Sequence, residues 1–402
     1  MPLRRTLRAR HPVHIAFVTE TYPPEINGVA LTVARAVNHL RSAGHTVQLL
    51  RPRQRGECAL QVADEWRTSG LPIPMYPELR LGWVGAAALR RHWSQAPPDL
   101  VHAATPGPLG WTALRVARAA GLATSADFRT NFHAYSRHYG LGMIAPALLA
   151  YLRRLHALAD LNFVPTPALS HSLAQQGFAR LQVVGRGVDS MHFGPQQRSA
   201  SLRARWGVDD DATPVLLHVG RLAPEKNVSL VLRSWRALRA QQPGLRLVVV
   251  GDGPLRERLQ AEHPEVLFTG MLRGDELARA YASADLFLFP SLTDTFGNVL
   301  LEALASGLAV VSFDLAAAAL HIRHGYSGWL AAPGDDIGFI DLAWRALQVL
   351  ADDRAAAQAL RQQALRAALS ADWDSQLALF ERRLRMVLAE RQSAAVGHAA
   401  LA

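Results

Sequence analysis

The chain has one cysteine, one lysine and no long apolar run. Cys58 alone excludes an internal disulfide and agrees with a reducing compartment. No apolar stretch in the sequence approaches the ~20 residues that a membrane-spanning helix needs. Segment 1–14 is rich in arginine but lacks the apolar core of a signal peptide. These absences exclude a disulfide scaffold and predict a cytoplasmic globular protein with neither a membrane span nor a secretion signal.

Positive charge is distributed unevenly along the chain. Residues 1–190 contain 21 arginines against 10 acidic residues, a balance of +11. Residues 191–402 contain 21 arginines and Lys226 against 23 acidic residues, a balance of −1. This asymmetry predicts that the first half meets an anionic surface or substrate. We expect no nucleic acid as partner, because the sequence has no zinc-ligand spacing, no RNP-like aromatic motif and no basic helix with heptads.

Short apolar runs alternate with helical patterns, which predicts parallel sheets in an α/β protein. The length predicts about two domains, and the polar segment 190–212 is a natural linker. We therefore expect two Rossmann-like, doubly wound domains, 1–190 and 191–372, that face an interdomain cleft. A helix in 373–402 is expected to cross back toward the first domain. The predicted strands are 14–19, 46–50, 100–103, 124–128, 161–164, 181–184, 215–219, 245–250, 266–269, 286–289 and 309–312.

Lys226, the only lysine, lies in a loop between the predicted strand 215–219 and the helix that follows. Phosphate groups are commonly held where a strand runs through a loop into a helix. A compact ammonium suits one crowded phosphate oxygen better than the planar fork of arginine does. The position therefore favours a phosphate contact, and the alternative is a lysine on a solvated loop.

A second candidate segment follows the predicted strand 286–289. A polar loop leads to a helix that begins near Gly297 or Asn298, and the backbone N–H groups of that first turn are predicted to face a diphosphate or sugar hydroxyls. Glu302 lies inside this helix among apolar positions, where a carboxylate needs a partner or ligand hydroxyls. The alternative for Glu302 is a buried capping or ion-pair role.

These segments together resemble a known family. Asp294 and Glu302 are separated by seven residues that include Phe296-Gly297, and this pattern resembles the signature of retaining GT-B glycosyltransferases of family 4. Segment 219–227 is similar to the family's diphosphate site, 251–254 to its following strand end, 23–29 to its N-terminal glycine loop, and 127–133 to the stretch with its active-site histidine. The resemblance covers nearly the whole chain in the right order.

The resemblance implies a role for each matching residue. Arg221 and Lys226 would neutralise the donor diphosphate, and Glu302 would accept hydroxyls of the donor ribose. Asp294 and the backbone from Phe296 to Asn298 would hold the transferred sugar. The implied catalytic residues are His133, Arg221, Lys226, Asp294 and Glu302, and the implied substrate-binding residues are Asn27, Gly28, Gly220, Gly251, Phe296, Gly297, Asn298 and Val299.

The chain departs from the family pattern at two positions. Asp294 stands where a longer glutamate is more common, so its contact with the sugar differs. The first loop reads Asn27-Gly28 instead of two glycines, and we expect position 27 to use the tolerance of asparagine for positive φ. Both departures bear on which sugar is transferred.

The implied function is transfer of a hexose, with retention, from a nucleotide-diphosphate sugar to a lipid or glycan acceptor. Segments 129–136 and 294–299 look closest to the GDP-mannose-dependent α-mannosyltransferases, so mannose is favoured and UDP-hexose donors remain open. The alternatives are a non-catalytic nucleotide-sugar-binding or membrane-adaptor protein of the same fold and a nucleotide-sugar epimerase.

No cofactor and no essential metal are expected. Asp209 and Asp211 form an acid-x-acid pattern that a metal-dependent glycosyltransferase would use, but they precede a strand in a polar linker, which favours a solvated turn. Two stretches, 81–93 and 141–155, are apolar and then basic, and are predicted as helices that rest on an anionic membrane surface. The alternative is that they cover the first sheet or line an acceptor groove.

Overall fold

The computed structural model describes residues 11–25, 27–54, 56–62, 64–73, 76–129, 145–210, 213–294 and 296–399. The strands are β1 (His14–Val18), β2 (Thr46–Pro52), β3 (Leu60–Val62), β4 (Glu65–Ile73), β5 (Tyr76–Trp83), β6 (Leu100–Ala103), β7 (Ala123–Asp127), β8 (Leu161–Val164), β9 (Leu181–Val183), β10 (Val215–Val219), β11 (Arg246–Val250), β12 (Leu267–Gly270), β13 (Leu286–Phe289), β14 (Ala309–Phe313) and β15 (Trp329–Ala331). The helices are α1 (Gly28–Ser42), α2 (Ala86–Gln95), α3 (Pro108–Ala119), α4 (Ala145–His156), α5 (Pro167–Gln175), α6 (Ala200–Arg205), α7 (Val228–Arg239), α8 (Arg256–Glu262), α9 (Gly274–Ser283), α10 (Asn298–Ala305), α11 (Ala316–His321), α12 (Asp336–Asp352), α13 (Arg354–Leu369) and α14 (Trp373–Ala399).

The described residues form two units, each built around its own sheet. The N-terminal unit contains the described residues between 11 and 129, 146–184 and those from 377 onward, and the C-terminal unit contains 185–376. Both sheets have a parallel core, which confirms the prediction of two parallel-sheet α/β domains.

The sheet of the N-terminal unit has the order β3-β4-β2-β1-β6-β7-β8-β9, with β5 beside β4. The strands from β2 to β9 in this order are parallel to their neighbours, whereas β3 and β5 run antiparallel to β4. In the centre, β1 is almost entirely buried, since Ala16, Phe17 and Val18 have no exposed surface. This burial on both faces explains why β1 is a continuous apolar run without alternation.

Segment 81–93 was predicted as one helix, and this prediction is wrong in its first part. Leu81, Gly82 and Trp83 end strand β5, and the helix α2 starts only at Ala86. Backbone pairing of β5 with β4 determines the conformation here, because Leu81 pairs with Leu71 and Gly82 with Gly70. Strands β4 and β5 each contain one glycine and one proline and have no clear apolar period, so the sequence does not predict them.

The sheet of the C-terminal unit has the order β12-β11-β10-β13-β14-β15, and all its strands are parallel. Helices cover both faces. Leu217 and Val219 of β10 pack with α9, α10 and α13, whereas Leu216 packs on the other face with α7 and α12. His218 lies on the same face as Leu216, because side chains alternate along a strand.

The segment predicted as a polar linker contains an ordered helix, α6, that packs on the C-terminal unit. Arg203 of α6 is buried and donates through Nη1 to Oδ2 of Asp285 at 3.0 Å and to the Ser283 carbonyl at 2.9 Å. Arg198 also lies 3.3 Å from Asp285. This ion pair fixes the segment to the C-terminal unit, while other polar residues of the segment, such as Ser201 and Asp209, are exposed.

The last helix, α14, has most of its length in the N-terminal unit. Its buried Glu381 lies between His39, His45 and Arg385, at 3.3, 3.4 and 2.9 Å. Arg385 also donates to the His11 carbonyl at 3.0 Å, so the helix is tied to the start of the described chain. Within the described residues, no helix is both long and apolar enough to cross a bilayer.

Candidate active site

The strand order of the C-terminal unit reverses at β10, which has β11 on one side and β13 on the other. In doubly wound sheets, ligands bind beyond the carboxyl ends of the strands at this kind of reversal. The three strands end at Val219, Val250 and Phe289. The segments that carry Arg221 and Lys226, Gly251, and Asp294 follow these ends, so the topology brings them to one edge of the sheet.

Gly220 and Gly251 touch where the loops after β10 and β11 cross. Gly251 has φ 136°, and a Cβ atom on it would lie 1.9 Å from the Gly220 carbonyl oxygen. The Gly220 N–H donates to the Val250 carbonyl at 3.0 Å, and the Leu222 N–H donates to the Asp252 carbonyl at 2.9 Å. These contacts hold the two loops together and leave no room for a side chain at position 251.

Lys226 and Asp294 form an ion pair across the ends of β10 and β13. Nζ of Lys226 lies 2.5 Å from Oδ1 of Asp294, and the two side chains are 13% and 17% exposed. A short helix, Pro224–Lys226, and the left-handed Asn227 (φ 52°) turn the chain into α7 and aim Lys226 at this edge. Arg221 is nearby in sequence, with Nη1 4.0 Å from Oε1 of the buried Glu225.

Several buried polar atoms surround this edge without a hydrogen-bond partner. They are Oδ2 of Asp294, Oγ of Ser291, Oγ1 of Thr293 and Nε2 of His218, none of which has a partner among the described residues. Buried polar atoms in folded proteins nearly always have a partner. A polar ligand bound at this edge would supply hydrogen-bond partners for the acceptors, Oδ2 of Asp294 and Nε2 of His218, and for the hydroxyl groups of Ser291 and Thr293.

His218 presents a neutral imidazole to this site. The pKa of His218 is lowered to about 4, chiefly by burial; the Leu288 carbonyl and the Asp294 carboxylate oppose this shift, and the ammonium of Lys226 adds to it. Nδ1 lies 2.9 Å from the Leu288 carbonyl oxygen, which can only accept, so Nδ1 carries the proton. Nε2 is therefore a bare acceptor.

The loop after β13 leads into α10 through Gly297. This glycine has φ 94°, and the ring of Phe289 and the Cβ of Asp294 lie 3.2 and 3.8 Å from where its Cβ would stand. Asn298 and Val299 form the first turn of α10, whose N–H groups have no acceptor within the helix. The buried Phe296 is fixed by its carbonyl, which accepts from the Ala317 N–H at 3.0 Å.

Glu302, one turn into α10, is bound to a tyrosine that the sequence did not suggest. The hydroxyl of the buried Tyr281 donates to Oε2 of Glu302 at 3.0 Å. Burial and the adjacent carboxylate raise the pKa of Tyr281 well above its ordinary value of 10. The hydroxyl therefore stays protonated and holds the Glu302 carboxylate, which remains partly exposed.

Asn27 and Gly28 lie in the N-terminal unit, at the start of α1. Asn27 has φ −149° and ψ 161°, so the expectation that it uses positive φ is wrong. It is a helix cap instead, because Oδ1 accepts from the Ala30 N–H at 2.8 Å while Nδ2 donates to Thr21 at 2.8 Å. The Gly28 carbonyl accepts from Thr32 at 2.6 Å. His133 lies outside the described residues.

The structure thus joins Lys226, Asp294, Gly220, Gly251 and Gly297 at one sheet edge. Glu302 and Arg221 are on the adjoining elements, each with its own protein contacts. Sequence reasoning missed four polar residues of this region. His218 could have been found, because it is the one polar residue in a strand that is otherwise apolar. The other three are Ser291, Thr293 and Tyr281, and no local sequence pattern distinguishes them.

Two family descriptions match the chain. "Glycosyl transferases group 1" matches residues 213–352, and "Glycosyltransferase Family 4" matches residues 26–191. The first range includes the sheet edge described above, and the second includes α1 with its Asn27 cap. The two matches together cover most of the chain.

Known proteins agree with this assignment. A GDP-mannose-dependent alpha-mannosyltransferase of Mycobacterium tuberculosis is 39% identical over 75% of this chain and 79% of its own length. A sulfoquinovosyl transferase of Arabidopsis thaliana is 30% identical over 81% of this chain and 64% of its own length. The sucrose-phosphate synthase of Thermosynechococcus elongatus has a similar structure, with a TM-score of 0.74 and 18% identity over 94% of this chain and 99% of that one. The chain therefore belongs to glycosyltransferase family 4 and is a glycosyltransferase of the GT-B fold.

Proposed function

We propose that this glycosyltransferase moves a hexose, with mannose favoured, from a nucleotide-diphosphate sugar to a lipid or glycan acceptor, and that the anomeric configuration is retained. GDP-mannose is the favoured donor, in line with the 39% identical relative. The sulfoquinovosyl transferase, which is 30% identical, has a name that indicates a different transferred sugar, so donors other than GDP-mannose remain alternatives.

The observation that carries the proposal is the Lys226–Asp294 pair among buried polar atoms that have no partner in the described chain. A donor brings a diphosphate for the ammonium and sugar hydroxyls for the carboxylate. Its binding would replace one ion pair by two contacts, so neither charge would be left without a partner. Ser291, Thr293 and His218 would then satisfy further sugar or phosphate groups.

In the proposed reaction the bond from the anomeric carbon to the diphosphate oxygen breaks, and its electron pair stays on the diphosphate. Arg221, Lys226 and the first turn of α10 stabilise that developing negative charge. The acceptor oxygen bonds to the anomeric carbon on the face that the diphosphate leaves. Its proton passes to the departing phosphate oxygen, so no side-chain nucleophile, metal or cofactor is required.

The proposed roles of the other site residues follow from the resemblance to the family motifs. Glu302, held by Tyr281, would accept the ribose hydroxyls, while Asp294 and the backbone from Phe296 to Asn298 would hold the sugar. Gly28 and Asn27 would lie near the phosphates, and His133 would contact the sugar. We place the reaction on the cytoplasmic side, with peripheral attachment to the inner face of the membrane, because the acceptor is proposed to be a lipid.

The test is transfer from a panel of GDP- and UDP-sugars into detergent-extracted host membranes. We expect one labelled product from one donor, with the α-anomer identified by NMR. Glu302→Ala should remove that product. The matched control is Glu276→Ala, because Glu276 is an exposed glutamate of α9 that has no place in the site.

Full transfer by Glu302→Ala would contradict the assignment of Glu302. Conversion of the donor to a different nucleotide-sugar, without any use of acceptor, would replace transfer by epimerisation. Saturable binding without any product would point to a protein that binds the donor only.

A further inference from the structure

Glu20 lies where the strand order of the N-terminal sheet reverses. It follows the end of β1 by two residues, and β1 has β2 on one side and β6 on the other. The residue is 8% exposed, so its side chain is turned into the unit. Its N–H donates to Oγ1 of Thr105, just after β6, at 2.7 Å. The backbone of Glu20 is thus fixed to the loop after β6.

The Glu20 carboxylate joins two elements that are separate along the chain. Oε1 accepts from the Leu109 N–H at 3.0 Å, in the first turn of α3, and Oε2 accepts from the Gly82 N–H of β5. Among the described strands, β5 pairs only with β4, so the Gly82 contact satisfies a backbone donor that points away from its one partner strand. We call these contacts of Glu20 with Gly82 and Leu109 the Glu20 clamp.

Glycines leave the space that the clamp occupies. A Cβ atom on Gly107 would lie 2.1 Å from Oε1 of Glu20, and one on Gly82 would lie 2.9 Å from Oε2. Gly70 pairs with Gly82 across the hairpin of β4 and β5, and a Cβ atom on it would lie 2.7 Å from the Cβ of Pro52. With the hairpin seated this closely, we expect the carboxylate to reach water only when the hairpin or the start of α3 moves.

This geometry makes the clamp sensitive to a proton. Burial raises the pKa of Glu20 from 4.5 to about 7, and the Glu25 carboxylate adds to the shift, while the N–H groups of Gly82, Leu109 and Gly110 oppose it. In an opened clamp the carboxyl group would be in water and would return to its ordinary pKa. Opening therefore releases a proton between these two pKa values, and its equilibrium constant increases as the pH rises through that range.

The other ionisable groups near the clamp do not titrate in this range. Burial and, second, the Glu20 carboxylate raise the pKa of Tyr151 of α4 to about 12, so its hydroxyl stays neutral. Arg80 lies on the same face of β5 as Gly82 and donates to a backbone carbonyl of β4 at 2.6 Å. Arg115 and Arg118, the charged residues of α3, are exposed.

We propose that Glu20 is a pH-sensitive clamp, whose ionisation allows the hairpin of β4 and β5 and the first turn of α3 to move away from the end of β1. The closed state holds a neutral carboxyl group, and the open state holds a carboxylate in water. The inference goes beyond the proposed sugar transfer and does not depend on it.

The experiment is amide hydrogen exchange of the full chain from about pH 5 to about pH 8, with rates corrected for the intrinsic effect of pH. We expect the protection factors of the Gly82 and Leu109 amides to fall by about tenfold per pH unit up to about pH 7 and then to level off. The amide of Phe17, in the buried β1, should not follow this fall. An equal fall at Phe17 would assign the change to global unfolding and overturn the proposal.

Two variants test the carboxyl group. Glu20→Gln is neutral at every pH, so the protection of Gly82 and Leu109 should no longer depend on pH. Glu390→Gln, at an exposed position of the same unit, should keep the wild-type dependence. A pH dependence that persists in Glu20→Gln would overturn the proposal.

A second pair of variants leaves the carboxyl group in place and changes its space. The methyl group of Gly107→Ala would displace Oε1 of Glu20, so the amides of Gly82 and Leu109 should lose protection and its pH dependence. The matched control is Gly85→Ala. Both glycines are N-caps with negative φ, of α3 and α2, but nothing lies within 4 Å of a Cβ atom on Gly85. Equal protection in the two variants would contradict the clamp. No donor or acceptor is present, so either result leaves the proposed transfer untouched.

Discussion

Lys226 and Asp294 neutralise each other in the structure, and this has a consequence for nucleotides that carry no sugar. GDP offers a diphosphate to Lys226 but nothing to Asp294. Binding of GDP alone therefore costs the ion pair and leaves the carboxylate without a cation, whereas a complete donor satisfies both groups.

Asp294→Asn should consequently bind GDP more tightly while it transfers more slowly. We expect GDP affinity to rise by about three- to tenfold, the range for an ion pair of about 1 kcal/mol. Transfer should fall by about 100-fold if Asp294 makes the proposed contact with the reacting sugar. Calorimetric titration and a transfer assay measure the two effects, with Asp209→Asn, an exposed acid, as control. Weaker GDP binding by Asp294→Asn would show that Asp294 does not restrain Lys226.

Gly251→Ala should destabilise the fold. The added Cβ would lie 1.9 Å from the Gly220 carbonyl oxygen, at a backbone φ of 136° that side chains avoid. We expect a loss of roughly 2 kcal/mol or more in the free energy of unfolding, measured by urea denaturation. Gly244→Ala in the same unit has only Thr213 nearby, at 3.8 Å, and should change stability by less than about 0.5 kcal/mol. Similar midpoints for the two variants would contradict the contact.

At the scale of elements, α6 is attached to the C-terminal unit through one buried carboxylate. Oδ2 of Asp285 accepts from Arg203 and from the Val215 N–H, both at 3.0 Å, while Arg198 and Arg361 approach Oδ1 at 3.3 and 3.4 Å. Val215 starts β10, so the same carboxylate fixes both α6 and the first strand of the C-terminal sheet.

Asp285→Asn should therefore be strongly destabilising. It leaves Arg203, which is 2% exposed, as a buried charge without its counterion, at a cost of about 3–5 kcal/mol. Chemical denaturation measures the loss. Asp341→Asn on the exposed side of α12 should cost less than about 0.5 kcal/mol. A small effect of Asp285→Asn would mean that water reaches Arg203 readily.

Helix α14 has a pH-dependent attachment through Glu381. Burial alone would raise the pKa of Glu381, but hydrogen bonds from Arg385 and His45 outweigh it and lower the pKa below 4.5. A carboxyl with a lowered folded-state pKa adds stability above its unfolded pKa and loses it as pH falls through the folded value. The contribution is thus complete near neutral pH and is lost as the pH falls through the lowered folded-state pKa.

Glu381→Gln should lower the free energy of unfolding at neutral pH by about 1–2 kcal/mol. The difference from the wild type should close as the pH falls through the lowered folded-state pKa of Glu381, because the wild-type carboxyl then becomes protonated. Urea denaturation across this pH range measures both. Glu390→Gln, at an exposed position of the same helix, serves as control. If the difference in the free energy of unfolding between wild type and Glu381→Gln persists at low pH, the loss of stability comes from packing and not from the charge of Glu381.

For the whole molecule, ligand binding and stability are linked. Ligands that bind only the folded chain stabilise it by about 2.7 kcal/mol at roughly 100 times their dissociation constant. We expect GDP at that excess to raise the free energy of unfolding of the wild type by that amount, and Lys226→Ala to lose most of the increase at the same GDP concentration. Calorimetry with GDP and with UDP would also rank the two bases. An equal rise in Lys226→Ala would contradict the diphosphate contact.

The sequence predicts the parallel cores of both sheets because their buried strands are short apolar runs: β13 is entirely apolar, and β10 is interrupted only by His218. It does not predict β3, β4 and β5. These strands are defined by pairing, β3 and β5 with β4 and β4 with β2, and not by an apolar period of their own. In the site, Lys226 and Asp294 are found from their motifs. The Tyr281–Glu302 bond joins residues 21 apart on two helices, and only the packing of α9 against α10 creates it.

The solitary lysine also makes the proposed donor site chemically addressable. An amine-directed reagent, such as an activated ester, has one side chain to modify, Lys226, besides the terminal amino group. Because the Lys226 side chain is 13% exposed and its ammonium is bound to Asp294, it should react slowly, and a bound nucleotide should slow the reaction further. A single tag counted by mass spectrometry would then report how much of the enzyme holds its donor, without any substitution in the chain.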